Sequence, residues 1–190
     1  MSRKGDRSRE SILQTALGLF AAKGFSAVTM QEICNGTGLS RGGLYRHYGS
    51  TEEIFAAIIT REQRQALDAL EKATAAGVQP IQILKAFLQS RAEQLLMPAL
   101  CIDRATAEFA AVSPRGKEIL AKRATDSVTI LAKMLAMAAE CGQIRCPDPE
   151  NTALQLLWFL EGMGRHNALL PLEKAEAMQR LNSFLSALLG

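Results

Sequence analysis

The sequence predicts an all-α fold of about nine helices, with a small three-helix, helix-turn-helix domain at the N-terminus and a larger helical domain after it. Apolar residues recur at helical spacing along almost the whole chain. Alanine and leucine are abundant while runs of β-branched residues are missing, which favours helix over strand. Gly, Pro and capping Ser, Thr or Asp residues fall where one periodic stretch ends and the next begins. A length of 190 residues suits a small domain fused to a larger one.

The elements follow in order. Residues 8–23 carry Ile12, Leu13, Ala16, Leu17, Leu19 and Phe20 on one stripe, and Gly24 is a natural stop with Phe25 free to pack back. Ser50 and Glu53 have the spacing of a capping box for a helix that continues to about Ala76, ended by Gly77. At roughly 25 residues it outgrows the small bundle, so it is expected to link the two domains. Pro80 opens the next helix as a first-turn proline. Pro98 interrupts, and a helix from about Ala99 to Val112 follows. Ser113-Pro114 starts one that reaches Gly142, Asp148-Pro149 starts another to about Leu170, and a last one follows Pro171.

Thr29–Tyr48 carries the most specific pattern. Thr29 and Glu32 form a capping-box pair, and Ile33 faces inward. Gly36 and Gly38 flank Thr37 where the chain must reverse, and glycine accepts the positive φ of such a stop. Leu39 plugs the turn, and Ser40 is an N-cap for a second short helix bearing Arg41, Tyr45, Arg46 and His47. This helix buries little beyond Leu44 and is rich in donors, which is what a DNA major groove accepts. An arginine at its first turn, Arg41, can bond bidentately to guanine O6 and N7. Gly42 and Gly43 leave that turn bare, so backbone can approach DNA, and readout then leans on Arg41, Gln31 and DNA shape.

At these residues the chain resembles the TetR family of bacterial transcriptional repressors. The resemblance rests on Arg9–Phe25, Thr29–Tyr48 and the Ser50-Thr-Glu-Glu-Ile-Phe run, about the first 60 residues. It implies that Tyr45 and His47 bond the phosphate backbone, that Thr29 is a further phosphate contact and that Arg46 adds a phosphate or base contact. Thr51 stands where such proteins often place a phosphate-binding lysine. The resemblance also implies a homodimer on a palindromic operator, and a small-molecule effector bound by the second domain. Residues 1–50 would bind DNA, and residues 51–190 would hold the effector and dimerise.

Charge agrees with this division. Residues 1–50 hold seven Lys or Arg against three acids, while the remaining residues sum to −1. The positive charge lies where a polyanion would bind. Arg3, Lys4 and Arg7 form either a minor-groove arm or a solvated tail. The polar, charged N-terminus does not read as a signal peptide, and no apolar run approaches the ~20 residues of a membrane span. A cytoplasmic protein without a membrane partner is expected. Cys34, Cys101, Cys141 and Cys146 lack Cys-x-x-Cys spacing and histidine support, so reduced structural cysteines are expected rather than a metal site.

The second domain shows no catalytic constellation, so an enzyme is not expected, and no cofactor is implied. From Ala153 to Leu160 only Gln155 is polar, so both faces of that helix should be buried. Gly162 and Gly164 in its interior suggest close helix approach at a two-fold interface, joined by Met178, Leu181, Leu185 and Leu188 of the last helix. Met97, Phe109, Met134, Met137, Trp158 and Met163 are candidates to line an apolar effector cavity, with Asp103, Arg104 and Glu161 to orient the ligand. The same charged residues, with Glu108, Arg165 and His166, equally suit salt bridges. The expected function is a repressor released from its operator by a small, largely apolar effector. The rivals are a repressor that senses oxidants through Cys101, Cys141 or Cys146 and, remotely, a helical enzyme.

Overall fold

The structure, a computed structural model, describes residues 3–96 and 102–189; of residues 3, 4, 168, 188 and 189 it describes the backbone alone. The described residues form nine helices and no strand: α1 (Arg3–Lys23), α2 (Met30–Thr37), α3 (Arg41–Tyr45), α4 (Thr51–Ala75), α5 (Pro80–Leu96), α6 (Asp103–Val112), α7 (Pro114–Glu140), α8 (Pro149–Leu169) and α9 (Lys174–Leu189). None is long and apolar enough to cross a membrane.

The predicted caps are largely present. Asp148 accepts the Asn151 N–H at 3.0 Å. The Ser113 hydroxyl accepts the Gly116 N–H at 2.8 Å and donates to Glu52 at 2.8 Å, so one side chain starts α7 and grips the first turn of α4. At the start of α4 the expected box is shifted by one residue. Ser50 caps Glu53 (3.1 Å), but the Glu53 carboxylate accepts the N–H of Gly49 (2.7 Å) instead of that of Ser50.

The chain packs as two compact units, Met1–Gln63 with Ala99–Arg123, and Arg64–Pro98 with Ala124–Gly190. The first unit includes the start of α4, to Gln63. The core of the first unit takes Ile12, Leu13, Ala16 and Phe20 from α1, Ile33 from α2 and Leu44 from α3, but also Ile54, Phe55, Ile58 and Ile59 from α4 and Ala105 and Phe109 from α6. Four phenylalanines hold it together. The Phe20 and Phe55 rings meet edge-to-face at 4.8 Å, and Phe109 packs on Phe25 (4.8 Å) and Phe55 (5.0 Å). Such pairs add roughly 0.5–1.5 kcal/mol beyond their buried area. Helix α1 and the two short helices after it bury too little to close a core, and α4 and α6 complete it.

The second unit is built from Leu84, Leu88, Ala92 and Leu95 of α5, Ile130, Leu131, Met134 and Leu135 of α7, Ala153, Leu156 and Leu160 of α8, and Leu181 and Leu185 of α9. Phe159 and Phe184 stack face to face at 3.9 Å. Gln143, in the loop after α7, accepts the Ile81 N–H and donates to Gln79, tying that loop to the start of α5.

Candidate nucleic-acid interface

The site begins at Thr29. Its hydroxyl accepts the Glu32 N–H at 3.2 Å, and the Glu32 carboxylate accepts the Thr29 N–H at 2.9 Å, closing the predicted box. The Thr29 hydroxyl also donates to Glu32 at 2.9 Å, so a phosphate taking that proton would replace this bond. Lys23, at the end of α1, reaches the same carboxylate at 2.6 Å. The Lys23 ammonium first, then the two Thr29 donors, hold the Glu32 carboxyl at a pKa of about 2 instead of the usual 4.5. The Gln31 amide donates to Asn35 at 2.9 Å and stays on the exposed side of α2.

The turn between α2 and α3 depends on one left-handed residue, Gly38, at φ 68°. Gly36 has a different task from the one its position suggests. It lies inside α2 with ordinary φ, and a Cβ there would sit 2.6 Å from the Thr15 methyl of α1. It is small because two helices cross there. Cys34 is buried, and its thiol donates to the Leu39 carbonyl at 2.8 Å, so this cysteine closes the turn.

Ser40 then accepts the Gly43 N–H at 3.1 Å and starts α3. Leu44 is fully buried and pins this helix to the core. Arg41 and Gly42 are exposed, and Tyr45 is 44% exposed. The recognition helix is shorter than expected: Arg46 and His47 follow it in a turn closed by the Arg46 N–H on Gly42 (3.3 Å) and the His47 N–H on Leu44 (2.9 Å). Arg46 is exposed and His47 half-buried, so both remain on offer beside Arg41. Thr51 is the first residue of α4, half-buried. Tyr48 packs against the small core, and burial pushes its phenol above the usual value.

The residues expected to line an effector cavity are not gathered. Phe109 is fully buried among Phe25 and Phe55, a core residue of the helix-turn-helix unit. Asp103 and Arg104 belong to the same unit, and both are exposed, with Arg104 bonded to Glu108 at 2.8 Å. Met134 lies in the core of the second unit with Met163 packed against it, and Met137 is half-buried. Trp158 is 64% exposed, so α8 is not covered on both faces within one chain, and Glu161 is exposed. An open cleft of about 460 Å³ on α8 and α9 is lined by Trp158, Phe159, Gly162, Met163, His166, Leu172 and Arg180. Met97 and Cys101 lie outside the described residues.

The two glycines of α8 differ. Gly164 is buried in its own chain, where a Cβ would lie 3.2 Å from Leu95 of α5, so its smallness serves an internal crossing. Gly162 faces open space. Leu181 and Leu185 are core residues of the second unit, Met178 is half-buried against it, and the side chain of Leu188 is outside the description. Among the described residues no group of three or more His, Cys, Asp or Glu could hold a metal. Cys141 is exposed and Cys146 half-buried.

Glu108 was visible in sequence only as a member of a charged cluster. It accepts the Ser26 N–H at 2.9 Å, bracing the loop between α1 and α2 from 82 residues away. That bond first, and Arg104 next, hold its carboxyl below the usual range. No local signal marks a pairing across that separation.

Residues 12–58, which run from α1 through α3 into α4, match the family described as bacterial regulatory proteins, tetR family. The chain's helix-turn-helix segment matches the tetR family. Over 67 residues the chain is 39% identical to an uncharacterized HTH-type transcriptional regulator, YfiR of Bacillus subtilis, a match over 35% of this chain and 33% of that protein. The HTH-type transcriptional repressor AcnR of Corynebacterium glutamicum is 36% identical over 29% of each chain. The matched stretch thus spans about a third of these relatives. In structure, Salmonella enterica GusR superposes with a TM-score of 0.72 at 24% identity, over 96% of this chain and 95% of that one. The likeness of fold therefore extends through both units, whereas the family match is confined to residues 12–58.

Proposed function

We propose that this protein is a homodimeric DNA-binding transcriptional regulator of the tetR family, a repressor that leaves a palindromic operator when a small, largely apolar effector binds. The observation that carries the reading is the outward face of α3 and the turn after it. Arg41, Tyr45, Arg46 and His47 stand together there, while Leu44 anchors the helix behind them. Arg41 is the base-reading group in this proposal. Tyr45, Arg46, His47 and, once it releases Glu32, Thr29 bind phosphate; Gln31 and Thr51 flank the contact, and the exposed Gly42 lets the protein backbone approach DNA, whereas Gly43 is buried and only keeps the turn small.

The DNA-binding part comprises the first 50 residues, braced by the start of α4 and by α6. The remaining helices pair the subunits and hold the effector. The exposed Trp158, Gly162 and Leu169 on α8, with Leu170 just after it, suit a two-fold contact with a second copy. Two recognition helices must then stand about 34–36 Å apart to enter successive major grooves. An effector that favours a differently spaced conformer breaks both half-site contacts at once, provided it binds the two conformers unequally. No catalytic role is proposed, and the tetR-family relatives named above are regulators.

A gel-shift with DNA from upstream of the protein's own gene tests the reading. A discrete shift that resists excess random duplex is expected. Binding that random duplex competes away at equal mass would overturn it. For the effector, calorimetry on free and operator-bound protein must show weaker binding to the complex, because the coupling is reciprocal.

A further inference from the structure

The Arg41 guanidinium lies over the Tyr45 ring, with Cζ 5.8 Å from the ring centroid. The two residues are one helical turn apart, so their side chains share a face of α3. The two positions that follow Arg41 on that turn carry no side chain. Gly42 has no atom within 4 Å of the place its Cβ would occupy, and Gly43 is buried against Ser40. Arg41 makes no ion pair among the described residues. Among the described residues the Tyr45 ring is the recorded partner that can restrain this long side chain.

This matters because a bidentate contact to a base depends on the plane of the fork. A guanidinium stacks flat on an aromatic face and is pulled towards it by the ring quadrupole. An arginine held in plane before contact loses less freedom on binding than one sweeping a wide arc. The arrangement also splits the tyrosine in two. The ring faces Arg41, while the phenol at its far edge is free to donate to a phosphate.

We infer that Tyr45 is a positioning residue for Arg41: its ring sets the plane of the guanidinium and so takes part in sequence preference, separately from any phosphate contact by its hydroxyl. The inference rests on the reading that Arg41 contacts a base. It gives the double glycine a consequence. With no side chain at the next two positions to fix Arg41, the ring one turn away supports it.

The test uses the full-length dimer and operator duplexes recovered by in vitro selection from random DNA. Each duplex is varied one base pair at a time, and random duplex is measured in parallel. Arg41→Ala, Tyr45→Phe and Tyr45→Leu are compared with the unaltered protein. Tyr45→Phe keeps the ring and loses the hydroxyl, so it should weaken all duplexes alike and leave the ranking of base-pair variants unchanged. Tyr45→Leu loses the ring, so discrimination at the base pair that Arg41→Ala identifies should fall by roughly two- to fivefold, the equivalent of an exposed cation–π contact. Unchanged melting temperatures exclude unfolding at this half-exposed position. Undiminished discrimination in Tyr45→Leu, with discrimination lost in Arg41→Ala, overturns the positioning role and spares the base contact. Undiminished discrimination in Arg41→Ala overturns the base contact itself.

Discussion

The Glu108 carboxylate of α6 accepts the backbone N–H of Ser26 at 2.9 Å, joining the loop after α1 to a helix 82 residues away in sequence. Ser26 lies three residues before the cap of α2, so the bond braces the entry to the helix-turn-helix. Replacing Glu108 by alanine should leave helix content unchanged, speed hydrogen exchange at the Ser26 amide and weaken DNA binding severalfold. Exchange at Ser26 no faster than in the unaltered protein would show that the loop holds without this bond.

Acid should loosen the same region. The folded carboxyls of Glu32 and Glu108 are both held low, Glu32 at about 2 against a usual 4.5. A depressed folded value stabilises above the unfolded one and is lost as pH falls through the folded one. The melting temperature of the first unit should therefore fall between about pH 4.5 and 2. Glu32→Gln should flatten that slope; an identical pH profile in the variant would remove Glu32 as its cause.

Phe109 separates two readings of α6. As an effector-lining residue, its truncation would cost ligand affinity and little else. As the fully buried partner of Phe25 and Phe55, its change to alanine should cost about 3–5 kcal/mol of stability, read by denaturant melts. A melt shifted by less than about 1 kcal/mol would contradict a core role.

The α8 glycines should respond differently to the same change. Gly164→Leu forces bulk against Leu95 and should destabilise the monomer by about 1–3 kcal/mol. Gly162→Leu enters open space, so it should spare monomer stability and weaken subunit pairing. Trp158, the single tryptophan, reports the pairing directly: its emission should shift to the blue as protein concentration rises through the dimer dissociation constant. Emission independent of concentration, with a dimer present by sedimentation, would place the interface elsewhere.

Local chemistry made much of this protein legible before any fold was known. The Thr29–Glu32 box, the Gly38 stop, the Ser40 cap and the Asp148 cap each involve residues within a few positions of one another. Helical spacing placed α4, α5, α7 and α8 to within a residue or two, because an apolar stripe records which face is buried. What the sequence could not carry is which stripe meets which. Phe109 read as a ligand-facing aromatic, yet a third helix was needed to close the core of α1 and α4. Gly164 read as a contact between subunits, but Leu95 of the same chain fills its notch. Trp158 read as buried because its neighbours are apolar, and within one chain it is not. Burial between distant segments depends on how closely helices cross and on which ends they share, and only the tertiary structure decides that. The sequence by itself determined the helices, their caps and the outward donors of α3; the tertiary structure decided the membership of each core and the bracing of the turn by Glu108.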